Sequence, residues 1–506
     1  MNNALKIYAK DYGGRVTLLF LLFLLALYQF YSAGFSAFAT VCLIPLFILT
    51  ILVSFKNRLF LFWVLVFVNF FIQFKNGPDL PIPLSLPNEL LEILLLIIAL
   101  IDVTHSHFER VGNLMLFSLI IWCGFCTLEV LNDTCGLGID VAAWYTGARM
   151  MAFQLMYIFL VFSLYISTPD SLNKYLFLWG LLALFAVFWV WKQQHIGLTQ
   201  IETAWLYYGP GNATHLLQAG TLIRYWSVYS DAANFGVGMA STGVAFIIMG
   251  LTAKIKKYKY FFLIVGIACS WAMFPSGTRT AIACMLAGFI MYIFLSKSFK
   301  IAIPFSILFA LFAFMLVFTK IGDGNQQIRR MRSAFNKDDA SANVRTMNQQ
   351  VMKKYLKDAP WGIGVGNGYG SVPANNKFRL LSVIPADSEY VYIWIRTGKI
   401  GITIFVLTTL LLLGGACRIV LFTLKNPSLR GIGAGLCCAF VSQQLGGYGN
   451  QVLMQFPNCL VFYGGLSIVY ILPYLEKEWI EWESKELAIQ EEKKRLKLEK
   501  KRASRV

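Results

Sequence analysis

Charge is scarce in this chain: Asp, Glu, Lys and Arg make up 14% of its 506 residues, whereas 57% are hydrophobic. A soluble core cannot hide that much apolar surface, so an ordinary soluble globular protein is excluded. Histidine is scarcer still, with four in all: His105, His107, His195 and His215. None has the helical spacing or the cysteine partners of a zinc site, so neither a metal nor a cofactor is expected. Acidic residues are also few, 26 against 44 Lys and Arg, for a formal net charge of +18. Ten cysteines are present, yet Cys123-Gly-Phe-Cys126 lies in an apolar stretch without the βαβ surroundings of a thiol–disulfide motif. Most of the others (Cys42, Cys269, Cys284, Cys417, Cys437, Cys438 and Cys459) also fall in apolar runs, where cysteine packs as a small hydrophobe.

Long apolar runs are what the chain has in abundance. About 20 such residues cross a bilayer as a helix, which satisfies its own backbone hydrogen bonds. Val16–Ser54 carries no charge and is long enough for a helical hairpin turning at Tyr31–Gly34. No small-residue cleavage site follows it, so a removed signal peptide is not expected. Further spans are predicted near Leu59–Phe74, Leu84–Ile101, Leu114–Leu131, Met150–Ile166, Leu176–Trp191 and Asp231–Leu251. Others follow near Tyr260–Phe274, Ala281–Leu295, Ile301–Phe318, Ile400–Leu421, Gly431–Gly446 and Met454–Leu472. The fold expected is an all-α polytopic membrane protein with about 12–14 transmembrane helices.

Basic residues of short loops stay on the cytoplasmic side. They fall in every second loop here, from Lys6, Lys10 and Arg15 through Lys56 and Arg58, Arg110, Lys174, Lys254–Lys259, Lys297 and Lys300 to Arg418, Lys425 and Arg430. Lys75 and Arg149 are the exceptions. Both termini are therefore expected in the cytoplasm, and the long loops Lys192–Ser230 and Lys320–Asp387 outside. The chain divides into N-terminal transmembrane helices (1–318), a large outer loop (319–390), C-terminal transmembrane helices (391–474) and a charged helical tail (475–506) suited to anionic headgroups or to solvent. Nucleic acid is not an expected partner; the lipid bilayer is.

Between Lys320 and Asp387 there are eleven Lys or Arg, five Asp and no Glu. An anionic substrate at the outer membrane surface would account for that excess, and so would a solvated loop. Within it, Val344, Met347, Val351 and Tyr355 form one stripe, with Lys353, Lys354 and Lys357 elsewhere, which predicts a helix over Asn343–Lys357 resting on the membrane. Trp361-Gly-Ile-Gly-Val-Gly-Asn-Gly-Tyr-Gly370 is not a nucleotide loop, because no Lys-Ser/Thr follows and its glycines alternate strictly. Such a run lets backbone pass close to another element or to a phosphate; packing is the favoured reading. Ionisable groups near membrane depth are the better guide to function. These are Asp231, which opens a span after Arg224-Tyr-Trp-Ser-Val-Tyr-Ser230, Arg279 at the outer end of two spans, Arg345 in the loop, and Asp387, Glu389 and Arg396 where the loop returns to the bilayer.

Taken in order, Ser276-Gly-Thr-Arg279 between two spans, an outer loop with Arg345 before a helix, Ala359-Pro-Trp-Gly-Ile-Gly-Val-Gly366 and Asp387-Ser-Glu-Tyr-Val-Tyr-Ile-Trp-Ile-Arg-Thr-Gly-Lys-Ile-Gly401 resemble the O-antigen ligase and O-antigen polymerase superfamily. Asp231-Ala-Ala-Asn-Phe-Gly236 looks like that family's Asp/Asn-Phe element, and the resemblance covers roughly Tyr225–Leu421. It implies a GT-C-like, metal-independent glycosyltransferase of the bacterial inner membrane with a large periplasmic loop. Its substrate would be a glycan carried on undecaprenyl diphosphate, and chain-length regulators or other polysaccharide assembly proteins would be its partners. An acceptor sugar hydroxyl would attack the anomeric carbon as the polyprenyl diphosphate leaves, which calls for cations and a base. By matching positions, Arg279 and Arg345 would bind the diphosphate, and Arg224, Asp231, Asn234, Tyr390 and Arg396 would be further substrate contacts. The family's ligases end the loop with a His-Asn-x-Tyr-like element whose histidine is the base; here Asp387-Ser-Glu-Tyr390 stands instead. Asp387 and then Glu389 are the catalytic candidates, with His195 and His215 as substitutes from the other outer loop and helix capping as the structural alternative for Asp387. The missing histidine favours a polymerase of O-antigen or capsular repeat units over a ligase to lipid A core. A lipid-linked oligosaccharide flippase is the alternative of another class, but it predicts charges through the bilayer depth and an internal repeat.

Overall fold

The computed structural model describes residues 57–77, 85–217, 222–296 and 340–503, with isolated positions before and between these stretches. The spans expected within 16–54 and at Ile301–Phe318 lie outside the described residues. Two compact units divide the chain, 1–65 and 66–506. In the first, the described residues are isolated positions, among them the exposed Leu21, Leu24, Leu25 and Tyr28, and the start of α1 (Arg58–Phe71).

The second unit continues with α2 (Leu86–Ile101), α3 (Leu114–Leu131), α4 (Val141–Tyr165), α5 (Pro169–His195), α6 (Ala232–Thr252), α7 (Lys256–Ser276) and α8 (Arg279–Leu295). After it come α9 (Ala340–Leu356), α10 (Glu389–Thr423), α11 (Pro427–Gly449) and α12 (Asn458–Ala503). Among the described residues the strands are β1 (Leu216–Leu217) and β2 (Leu222–Ile223), a short antiparallel pair. Among the described residues seven helices (α3 to α7, α10 and α12) are long and apolar enough to cross a membrane, and α1 and α8 carry shorter apolar stretches. The protein is an all-α polytopic membrane protein. Each predicted span that falls on described residues coincides with one of these helices.

Polar caps fix several helix starts. Asn113 accepts from the Met115 and Leu116 amides at α3, Asn426 from Leu429 at α11, and Thr168 forms a capping box with Ser171 ahead of α5, whose first residue is Pro169. At the centre lies α6, the most enclosed helix before the tail helix, packed against α7, α8 and α11. Small residues permit this closeness, as expected where helices associate without a hydrophobic drive. A Cβ on Gly243 would stand 2.8 Å from Ser270 Oγ, and one on Gly435 2.8 Å from the Ala245 carbonyl oxygen.

The interhelical segments bond to one another in two separate sets. One set links Asn132 to Trp361, Asn376 to Cys135, Tyr225 to Pro275 and Gln451 to Ala386. The other links Arg110 to Ser167, Thr252 to Ser428, Lys254 to Glu483, and Glu476 to the amides of Lys425 and Asn426. Arg149, an exception to the alternation of basic loops, is accounted for by its pairing with Glu89 at 3.2 Å and its bond to Ser85 at 3.0 Å. Beside it, fully buried Glu92 accepts from Gln154 at 2.8 and 2.7 Å and from Asn88 at 3.0 Å. This polar knot ties α2 to α4, and the sequence reading of membrane-depth charges passed over it.

Candidate active site

Arg224 stands just after β2, with its side chain against the α7–α8 junction. Its Nε donates to the Ser276 carbonyl at 3.2 Å, and its two terminal nitrogens donate to the Thr214 carbonyl at 3.0 Å and to Thr278 Oγ1 at 3.1 Å. The junction is tight: Gly277 has a left-handed φ of 56°, Ser276 Oγ accepts from the Thr278 amide at 3.1 Å, and Thr278 Oγ1 donates to the Ala232 carbonyl at 2.8 Å. Arg279, the next residue, begins α8. Burial lowers the Arg224 pKa; Asp231 acts against this, and the positive charges of Arg279 and Arg345 act with it. Asp231, Arg279 and Arg345 therefore each lie within electrostatic reach of Arg224. Asp231 itself caps α6, its Oδ1 accepting from Ala233 at 2.7 Å and Asn234 at 2.9 Å.

Arg345 comes from α9 and sits with Nε 3.7 Å from Asp387 Oδ2; the two side chains are 36% and 42% exposed. Met352 and Leu356 anchor that helix in a cluster with Cys135, Ile363, Leu381 and Ile395, while Val344, Met347 and Val351 of the predicted stripe remain exposed. Asp387 does not cap α10. Ser388 holds the cap position, its hydroxyl donates to the Gly447 carbonyl at 3.1 Å, and the Asp387 carboxylate faces Arg345 instead.

The glycine run wedges backbone into helices, as the packing reading expects. Inside α10 the chain breaks at Gly398 (φ 63°, ψ −166°), and the run fills the gap. Ile363 and Gly364 donate to the carbonyls of Ile395 and Arg396 at 3.0 and 2.9 Å, and a Cβ on Gly147 of α4 would lie 1.9 Å from the Val365 carbonyl oxygen. Arg396 donates to that same Val365 oxygen at 2.7 Å.

Other expected site residues lie in packing roles. Glu389 is buried and accepts from the Leu453 amide at 3.0 Å. Tyr390 donates to Gln444 Oε1 at 2.9 Å, and Asn234 donates to Ser230 Oγ and the Phe456 carbonyl while accepting from Asn458. His195 stacks on Trp191 and is exposed. His215 is buried; its Nε2 accepts from the Ala232 amide at 3.0 Å and its Nδ1 lies 2.7 Å from Thr214 Oγ1. Burial, then Arg224 and Lys75, push its pKa down to about 3, so it stays neutral. Lys75, missed as a site residue, lies 4.7 Å from the Trp205 ring; burial lowers its pKa and Asp231 raises it. Its break with the basic-loop alternation was the available signal.

Residues 262–406 match the family model described as O-antigen ligase. No curated protein matches the chain. The matched stretch lies within the region of resemblance and includes Arg279, Arg345, Asp387, Glu389, Tyr390 and Arg396; Arg224, Asp231 and Asn234 precede it. It supports the O-antigen ligase and polymerase superfamily, and with it glycan transfer by a multi-pass membrane enzyme acting on lipid-linked glycans.

Proposed function

We propose that this O-antigen ligase-type protein polymerises glycan repeat units carried on undecaprenyl diphosphate, at the periplasmic face of the inner membrane and with both termini cytoplasmic. The gathering of Arg279 and Arg345 around Arg224, with Asp387 against Arg345, carries the proposal. Guanidinium forks match phosphate oxygens, and three together neutralise a leaving diphosphate without a metal ion. Arg224 and Arg279 are held at the α7–α8 junction, whereas Arg345 reaches in from the loop. An incoming diphosphate competes with Asp387 for Arg345. The released carboxylate then accepts the proton of the acceptor hydroxyl as the new glycosidic bond forms and the carbon–oxygen bond to the diphosphate breaks.

The test is transfer by purified protein given undecaprenyl-diphosphate-linked repeat units, with and without lipid A core. Elongation without core supports polymerisation. The family model's description favours a ligase as the second reading, and transfer to core alone would establish that instead. A flippase would leave units stranded on the inner side in Arg279→Ala cells; accumulation on the outer side rules it out.

A further inference from the structure

Beside Asp387 opens a cavity of about 340 Å³, at the lower end of small-molecule sites. Its walls include Asn367 and Tyr369 from the far end of the glycine run, Ala386 just before α10, Tyr392 and Arg396 on α10, and Gln451 from the α11–α12 connection. None of the mechanism above uses it. Its chemistry is distinctive: carboxamides, two phenol rings and one guanidinium, with no carboxylate among its lining residues.

Arg396 is the telling group. It is 9% exposed, and its interactions are a hydrogen bond to the Val365 carbonyl and the Tyr392 ring, 4.5 Å from the guanidinium carbon. Among the described residues no Asp or Glu forms an ion pair with it. A buried cation without a counter-ion is unfavourable, and it becomes favourable when an anion enters with the fork's remaining donors free to bind it. Tyr369, 77% exposed at the mouth, offers a flat face on which a sugar ring can rest.

We propose that this cavity is a subsite for a carboxylate-bearing sugar, such as a hexuronic acid, of the glycan substrate. The inference rests on the glycan-transfer reading and deepens it. Arg396 takes the carboxylate, Tyr369 carries the ring, and Asn367 and Gln451 face the hydroxyls. Ala386 in the cavity wall is the residue directly before Asp387, so a sugar seated there lies next to the reacting groups.

Binding is measured on the full chain in lipid nanodiscs by saturation-transfer NMR, with a glucuronic-acid disaccharide and its neutral glucose counterpart as probes. The acidic sugar is expected to bind about tenfold or more tightly than the neutral one. Arg396→Gln should abolish that preference, Arg396→Lys should retain part of it, and Tyr369→Ala, an exposed change that folding tolerates, should weaken both sugars. Equal binding of the two probes, no binding of either, or a preference that survives in Arg396→Gln overturns the proposal. So does competition by inorganic pyrophosphate, which would assign the cavity to the carrier's diphosphate. If Arg396→Gln fails to fold, the Lys and Tyr369→Ala variants decide. Arg279→Ala keeps the sugar preference while losing transfer; transfer that persists there sinks the proposed reaction but not the subsite.

Discussion

Replacing Arg345 by Ala separates what the side chain does for folding from what it does for transfer. Both partners of the Arg345–Asp387 pair are more than a third exposed, at 36% and 42%, and such pairs contribute about 0–1 kcal/mol. The helix is held by Met352 and Leu356, which the substitution does not touch. The melting temperature should therefore stay within about 3 °C of wild type. Activity should fall much further. Losing one cationic donor to a developing negative charge costs about 2.7–4 kcal/mol, or roughly 100- to 1,000-fold in rate. Arg345→Lys should recover only part of this, since an ammonium keeps the charge but not the planar fork. Transfer from a labelled polyprenyl-diphosphate donor, followed beside thermal unfolding of the same preparation, gives both numbers. Turnover of Arg345→Ala within about threefold of wild type would refute the assignment of this side chain to the diphosphate.

His215 supplies a pH signature. Its folded pKa of about 3 lies below the unfolded value of about 6.5, so the stability it secures is complete above that unfolded value and is lost as pH falls toward 3. Unfolding of wild type should weaken across that window, and His215→Gln should flatten the dependence. Gly398→Ala forces a side chain into a backbone region reserved for glycine and 2.0 Å from the Pro360 carbonyl oxygen, so thermal unfolding should report a loss of about 2–5 kcal/mol. Glu389→Gln keeps an acceptor for the Leu453 amide and should keep transfer within a few-fold, whereas Asp387→Asn should lower it about 100- to 10,000-fold in the same assay.

The spans were legible because each is a local property of composition: a run of apolar residues needs no partner to be seen. Arg279, Arg345 and Asp387 stood out for a similar reason, being charges at the edges of such runs. What hid was anything that depends on a distant partner. Glu92 looks like a stray acid in an apolar segment until Gln154, 62 positions away, saturates its carboxylate. The break in α10 was equally hidden, because Gly398 and the run after Pro360 make sense only together. Asp387 was open to two readings, and position alone favoured neither; the hydroxyl of Ser388, turned to Gly447, leaves the carboxylate to Arg345.

The three arginines differ in how they are held, and the difference assigns them different parts. Arg224 spends its nitrogens on two carbonyls and Thr278, which fixes its plane before any substrate arrives. Such a group contributes field at no cost in reorganisation when charge develops on the leaving oxygen. Arg345 is partly exposed on a helix whose buried anchors, Met352 and Leu356, lie in its last turns, and it faces the Asp387 carboxylate. It can exchange that carboxylate for a phosphate. Binding of the donor is thereby linked to release of Asp387, so the base is freed only when the leaving group is in place. Asp387→Asn should on this account tighten inorganic pyrophosphate binding, measured by calorimetry, because the anion no longer competes for Arg345. Unchanged or weaker binding would show that Asp387 and the diphosphate do not share that guanidinium.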